Sequence, residues 1–280
     1  MGGRRVALLL LAVLFVSACG SSRVAVGAFT PGPSVHTIDV GGLDRHYRLY
    51  IPDGVAAAAP LVLMLHGWTG SAEQAERDYG WNQQADAAKF VVAYPDGVGR
   101  SWNGGGCCGR ASREGVDDVA FLTAAVADIA ANVGIDGSRI YAAGISNGGI
   151  MAYKLACHTD IFAAIGPDAA TQLEPCPAPR PTSVLHIHGT GDRLVRYDGR
   201  PGTAVTVATP TTPEIDAFWR TVDRCRPPVT TTDGDLTTSA ASCPQGRGVE
   251  LITVAGGGHD WPSFATERMW DFFAAHPRPR

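Results

Sequence analysis

Gly144-Ile145-Ser146-Asn147-Gly148 sets a serine between two glycines, after an apolar β-type run and before an apolar helical pattern. In that setting Gly-x-Ser-x-Gly forms a sharp strand-to-helix turn that lifts the serine hydroxyl above the sheet. The glycines permit the turn and keep bulk off the serine. The amino end of the following helix favours negative charge developing there. A serine needs a base, and the base needs an orienting group. Asp192 closes the segment His188-Gly189-Thr190-Gly191-Asp192, after the apolar run 184–187. His259 closes Gly256-Gly257-Gly258-His259, after the run 249–254. Both loops would lie at the carboxyl edge of a parallel sheet, where open α/β sheets place their sites. The order Ser146, Asp192, His259 fits nucleophilic acyl transfer with His259 as base and Asp192 as its orienter.

The developing oxyanion needs backbone N–H donors. Asn147, directly after the nucleophile, supplies one. The loop Leu65-His66-Gly67-Trp68-Thr69-Gly70-Ser71 supplies the other, with Gly67 permitting the turn and Trp68 placed to donate. Other titratable residues have simpler readings. His186 lies inside a strand and reads as a core histidine, and His158 sits at a helix end and reads as a cap. Asp117 and Asp118 precede an amphipathic pattern and read as a helix start, although one of them can line a cleft. Asp168 follows a strand and is an alternative acid, while Asp260 points away if His259 points inward. The glycines 256–258 have no P-loop lysine or Rossmann spacing after them, so a phosphate cradle is not expected.

The elements that must position these residues alternate along the chain. The runs 35–40 and 46–51 flank Gly41-Gly42, a hairpin signal. The segments 61–65, 90–94, 139–145, 162–165, 184–187 and 249–254 read as strands, the continuous apolar ones buried on both faces. Val119, Leu122, Val126, Ile129 and Val133 recur at helical spacing, and further helices are expected over 148–158, around 215–222 and around 269–273. This alternation predicts a single-domain α/β fold with a mostly parallel, doubly wound sheet flanked by helices. The Thr-, Pro- and Gly-rich stretches 203–213 and 227–248 read as surface loops.

The whole chain has 280 residues, 45% of them hydrophobic, and a formal net charge of −4. That length and apolar content suit one large domain and exclude a disordered or polytopic membrane chain. The acidic balance argues against a nucleic-acid partner. Residues 1–18 carry Arg4-Arg5 and then the apolar run 6–18, shorter than the ~20 residues a spanning helix needs, so a signal peptide is expected. Val16-Ser17-Ala18-Cys19 resembles a bacterial lipobox, so Cys19 is expected to be the acylated first residue of an exported protein, lipid-anchored to the outer face of the cell membrane; the alternative is ordinary secretion. Residues 19–34 read as a tether and 35–280 as the catalytic domain. Cys107, Cys108, Cys157, Cys176, Cys225 and Cys243 remain, and an even number in an exported chain reads as disulfides. Proximity favours Cys157–Cys176 and Cys225–Cys243, leaving Cys107 and Cys108 to form a vicinal bridge or to stay reduced. No metal-ligand spacing accompanies them.

Several segments together carry a family resemblance: Leu-His-Gly at 65–67, Tyr-Pro-Asp-Gly at 94–97, Ser-Trp-Asn-Gly-Gly-Gly-Cys-Cys-Gly at 101–109, Val-Asp-Asp-Val at 116–119, Gly-Ile-Ser-Asn-Gly-Gly-Ile-Met at 144–151, His-Gly-Thr-Gly-Asp at 188–192 and Gly-Gly-Gly-His-Asp-Trp-Pro at 256–262. The chain resembles the secreted esterases that group polyhydroxybutyrate depolymerases with feruloyl and acetylxylan esterases. The resemblance implies an α/β-hydrolase, the triad Ser146, Asp192 and His259, no cofactor or metal, and a small or oligomeric ester as substrate. No separate polymer-binding domain is expected, and the membrane is met only through the lipid. Trp68, Trp102 and Trp261 fall in loops that the resemblance places near the cleft, so aryl or carbohydrate-linked esters are expected over long aliphatic ones. Two rival readings use the same scaffold: a catalytically silent cell-surface binding lipoprotein, and a serine peptidase.

Overall fold

The computed structural model describes residues 1–2 and 29–279. The expected signal peptide, Cys19 and most of the tether lie outside them. The strands β1 (Gly32–Val40) and β2 (Leu43–Ile51) form an antiparallel hairpin turned by Gly41 and Gly42, both at positive φ. Such a two-residue turn matches the twist of paired strands. β1 starts at Gly32 rather than at Val35, and its residues alternate between half-buried and exposed.

There follow β3 (Ala59–Leu65), α1 (Ala72–Asp78), α2 (Trp81–Ala88), β4 (Val91–Pro95), α3 (Gly109–Arg113), α4 (Asp118–Asn132), β5 (Ile135–Ile145) and α5 (Asn147–His158). The second half contains β6 (Ala164–Asp168), β7 (Ser183–Gly189), α6 (Thr212–Val222), β8 (Val229–Asp233), β9 (Leu236–Ser242), β10 (Gly248–Val254) and α7 (Ala265–Ala275). The sheet order is β1-β2-β4-β3-β5-β6-β7-β10-β9-β8. From β4 to β10 the neighbours are parallel, and antiparallel strands extend both ends.

Strand periodicity divides the core into two layers. Leu61, Leu63 and Leu65 of β3 face the layer that includes α4, α5 and α6 residues, whereas Val62 and Met64 face the layer of α1, α2 and α7. All of β3, β4, β6 and β7 is buried, which is why these strands read as continuous apolar runs. Asp117 caps α4 by accepting from the Ala120 N–H at 2.9 Å. Asp118 is instead buried against Arg45 at 2.7 Å, and the Arg45 guanidinium lies over the Phe121 ring.

The segment 227–248 departs from the expected loop. It holds β8 and β9, paired antiparallel around Gly234, which adopts positive φ. Every residue of β8 is exposed, Thr230, Thr231 and Thr232 among them, so apolar alternation is missing. β-branched threonine still suits a strand, and Asp233-Gly234 was the turn signal. At the end of the other expected loop, Thr211 and Glu214 form a capping box that starts α6. The short helices α1, α2 and α3 were not anticipated.

Three disulfides form: Cys107–Cys108, Cys157–Cys176 and Cys225–Cys243. The last ties the end of α6 to the end of β9 across a sequence separation of 18. Loop-closure entropy for such a span is worth about 3 kcal/mol. The double variant Cys225→Ser/Cys243→Ser is expected to lose that much unfolding free energy in urea titrations while keeping its activity. A loss below about 1 kcal/mol would show that the crosslink constrains the unfolded chain little.

Candidate active site

Ser146 sits between β5 and α5 at φ 57° and ψ −121°. Positive φ is costly for a residue with a Cβ and persists only where the surroundings enforce it. Here the enforcement is visible. The Ser146 N–H donates to the Asp168 carbonyl at 2.8 Å, and its carbonyl accepts from Ile150 N at 2.9 Å. No side chain fits at the flanking glycines. A Cβ on Gly148 would lie 2.2 Å from the Leu65 carbonyl oxygen, and one on Gly144 would lie 2.5 Å from the Gly148 carbonyl carbon. The Gly-x-Ser-x-Gly pattern is therefore a packing requirement, and it leaves the serine at the amino end of α5.

Asp192 lies in the loop after β7. Its Oδ1 accepts from the Leu194 and Val195 N–H groups at 2.8 and 3.0 Å, and its Oδ2 accepts from His259 Nδ1 at 2.7 Å. Burial by itself would raise the carboxyl pKa. Hydrogen bonds from His188 and His259, the nearby His259 charge and the Leu194 N–H outweigh burial, and the group titrates at about 2. With Nδ1 donating to Asp192, His259 has Nε2 as the ring nitrogen that can take up a proton.

Glycines bring the two loops together. A Cβ on Gly189 would meet the Gly257 carbonyl oxygen at 2.2 Å, and the Gly191 N–H donates to that oxygen at 2.8 Å. Ser146 and His259 line one cleft of about 390 Å³, whose wall also includes Trp68, Tyr79, Cys108 and Leu194.

The sequence pattern of the family described as esterase PHB depolymerase matches residues 45–176. NocK of Nocardia uniformis subsp. tsuyamanensis, which bears an esterase name, is 34% identical over 86% of this chain and 80% of its own. The chain belongs to the esterase PHB depolymerase family. Feruloyl esterase C of Emericella nidulans is 28% identical across 90% of this esterase and 96% of its own length. Feruloyl esterase B of Piromyces equi is 34% identical, and the match spans 40% of that longer protein. Among solved structures, the acetyl xylan esterase from Aspergillus awamori superposes with a TM-score of 0.66 at 17% identity, over 86% of this chain and 99% of that one. That likeness identifies the α/β-hydrolase fold. The chain is thus a carboxylic ester hydrolase with a mostly parallel sheet flanked by helices.

Two of the expected cleft tryptophans sit elsewhere in the esterase. Trp102 is fully buried beneath the site. Its Nε1 donates to the His66 carbonyl at 2.8 Å, and its backbone N–H and C=O bond the Asn147 side chain at 2.6 and 3.0 Å. An indole with all its polar groups satisfied in the core is a structural floor, so its assignment to the cleft is corrected. Trp261 donates from Nε1 to Thr266 Oγ1 at 3.0 Å and packs against Tyr79 with the rings tilted by 35° and their centroids 5.1 Å apart. It backs Tyr79, and Tyr79 is the ring in the cleft wall. Trp68 does line the cleft and is 47% exposed.

Among the expected oxyanion donors, Asn147 opens α5, with its side chain turned away to hold the 102–107 loop. The Trp68 loop lies close by, since a Cβ on Gly67 would be 3.6 Å from Ser146 Cβ. His66 braces that loop: its Nδ1 bonds the Gly67 carbonyl at 2.8 Å, and its Nε2 accepts from Gly97 N at 3.0 Å. Burial lowers the His66 pKa, so the ring is neutral and suited to one donor and one acceptor role.

Asp168 is buried with Oδ2 unpartnered among the described residues, and burial, then the Asp260 and Asp192 charges, push its pKa well above the carboxylate range. The His259 ring is bonded to Asp192 instead. His186 is a core residue bonded to Tyr153 at 2.8 Å, and His158 lies 3.4 Å from Glu174. Asp118 accepts from the Asn103 N–H at 2.7 Å and so anchors the 102–109 loop.

Sequence reasoning missed His188 and Tyr79. His188 Nε2 donates to the Val195 carbonyl at 2.9 Å and lies 3.3 Å from Asp192 Oδ2, while Nδ1 accepts from Thr212 at 3.0 Å. The segment His188-Gly189-Thr190-Gly191-Asp192 placed it beside the acid, four residues away, which was the available signal. Tyr79 carries no comparable pattern.

Proposed function

We propose that Ser146, His259 and Asp192 act as a nucleophile–base–acid triad. The Asp192–His259 contact at 2.7 Å, with Ser146 in the same cleft, is the observation that carries this reading. Ser146 Oγ attacks the ester carbonyl while His259 Nε2 takes its proton. The carbonyl oxygen becomes an oxyanion held by the Trp68 and Asn147 N–H groups. Collapse of the tetrahedral adduct expels the alcohol, protonated by His259, and leaves an acyl-serine. Water, deprotonated by His259, then attacks the acyl carbon and releases the acid and Ser146.

The favoured substrate is a feruloyl-type ester. Trp68 and Tyr79 line the cleft, and planar groups gain about 0.5–1.5 kcal/mol per aromatic pair beyond burial. Oligomers of 3-hydroxybutyrate are the second choice, favoured by the family pattern over 45–176. The value of kcat/KM is expected to be at least about tenfold higher on methyl ferulate than on a long-chain acyl ester. A long-chain preference would overturn the aromatic-wall argument, and a hydroxybutyrate preference would keep the mechanism and change the substrate class.

Export with acylation of Cys19 completes the proposal, supported by the lipobox-like segment and the three disulfides. Mass spectrometry of the mature amino terminus is expected to find a diacylglyceryl Cys19. An unmodified Cys19 would refute the anchor.

A further inference from the structure

The cleft lies at the carboxyl edge of the parallel strands. At the opposite edge, a cavity of about 200 Å³ opens between the segments leading into β6 and β7, the turn before β10 and the tail after α7. Arg180, Arg247 and Arg278 line it, and Asp160 is the carboxylate in its wall. A neighbouring cavity of about 490 Å³ shares Pro181 and Arg247 and adds Arg224 and Asp223. This concentration of cations stands out in a chain whose formal net charge is −4.

The guanidinium groups are only partly satisfied. Arg180 pairs with Asp160 through Nη1 at 3.1 Å, with both side chains mostly exposed. Arg247 gives Nε to Asp223 at 2.8 Å and Nη1 to Gln245 at 2.6 Å, which leaves Nη2. The Arg278 backbone N–H donates to the Ser138 carbonyl at 2.7 Å and fixes the tail, yet its Nη2 is buried with no acceptor among the described residues. A buried charged donor without an acceptor is costly, and an anion in the cavity would remove that cost. Asp223 is a weak counter-charge here, because burial prevails over the pull of Arg247 and pushes its carboxyl up to about 7.

We propose that this edge binds a phosphate group, with Arg180, Arg247 and Arg278 as its donors. A tetrahedral phosphate offers oxygens toward guanidinium groups arriving from different segments, whereas a carboxylate offers two in one plane. The phosphate has two possible sources, an anionic lipid headgroup and free inorganic phosphate. The headgroup has the better geometric case. The Phe29 N–H bonds the Asn132 carbonyl at the end of α4, so the chain enters the fold on this same edge. A membrane met here leaves the cleft facing outward.

The cleft is on the far edge, so ester turnover reports folding independently of the anion, and the test does not depend on which ester is cleaved. Calorimetric titration of the purified mature chain with inorganic phosphate is expected to show saturable binding. Arg278→Ala and Arg180→Ala should each weaken it by at least about tenfold, with ester hydrolysis within about twofold of the parent. Arg268→Ala, whose partner is Glu250 elsewhere on the surface, should leave it unchanged. Titration with glycerophosphoglycerol, the soluble headgroup of phosphatidylglycerol, separates the sources. Tighter binding than inorganic phosphate assigns the site to lipid, and weaker binding assigns it to the free ion. No saturable binding of either anion, or binding that persists in an active Arg180→Ala/Arg278→Ala variant, would overturn the proposal.

Discussion

Ser146→Ala is expected to lower kcat for ester hydrolysis by at least about 10⁴-fold, leaving the residual rate that oxyanion contacts and binding alone provide. The melting temperature should barely move. Ser146 lines the cleft, so its hydroxyl adds little to core packing, and alanine keeps the Cβ that the backbone at φ 57° already tolerates. Ser146→Gly makes a useful companion, because it also lacks the nucleophile but relieves the positive-φ penalty of about 1–2 kcal/mol. It should be as inactive as the alanine variant and more stable than the parent. Together the pair separates loss of chemistry from loss of fold. Near-parental turnover in either variant would remove Ser146 from the nucleophile role and reopen the silent-scaffold reading.

Asp192→Asn is expected to cost about 10³–10⁴-fold in kcat. The amide is nearly the same size, but it cannot carry the charge that stabilises a protonated His259, and it no longer fixes the ring tautomer. Asp168→Asn should cost little, since burial disfavours charge on Asp168 and the His259 ring is bonded to Asp192. Steady-state kinetics giving the reverse ranking would move the catalytic acid to the end of β6.

The same substitution changes stability in a defined pH window. The Asp192 carboxyl titrates at about 2 in the folded chain, below its ordinary value of 3.8. Its stabilisation, of the order of 2 kcal/mol, is therefore fully present above the unfolded pKa and is lost as the pH falls through about 2. Unfolding free energy measured against pH should fall less steeply for Asp192→Asn than for the parent over that range. Equal slopes would mean that the His188 and His259 hydrogen bonds do not hold the carboxylate ionised.

The chain sequence by itself determined the features whose physics is local. Gly144 and Gly148 around Ser146, and Gly189 and Gly191 after β7, stand where backbone approaches backbone too closely for a Cβ, and those contacts are present. Continuous apolar runs marked the central strands because these are buried on both faces. The proximity of Cys157 to Cys176 and of Cys225 to Cys243 matched the bonds that form. Tertiary structure decided what depends on which neighbours arrive. The hairpin β8–β9 extends the sheet with threonines whose polar pattern resembles a loop, and only pairing with β10 makes it a strand pair. Trp102 looked like a cleft residue, but its loop folds inward because Asn147 and His66 satisfy its polar groups and the core accepts its ring. Tyr79 took its place, brought to the cleft by the end of α1 and backed by Trp261 from beyond β10. A local pattern records steric and hydrophobic demands within a few residues. The choice of which aromatic faces the cleft is set by contacts between segments far apart in the chain, and that information appears only when they meet.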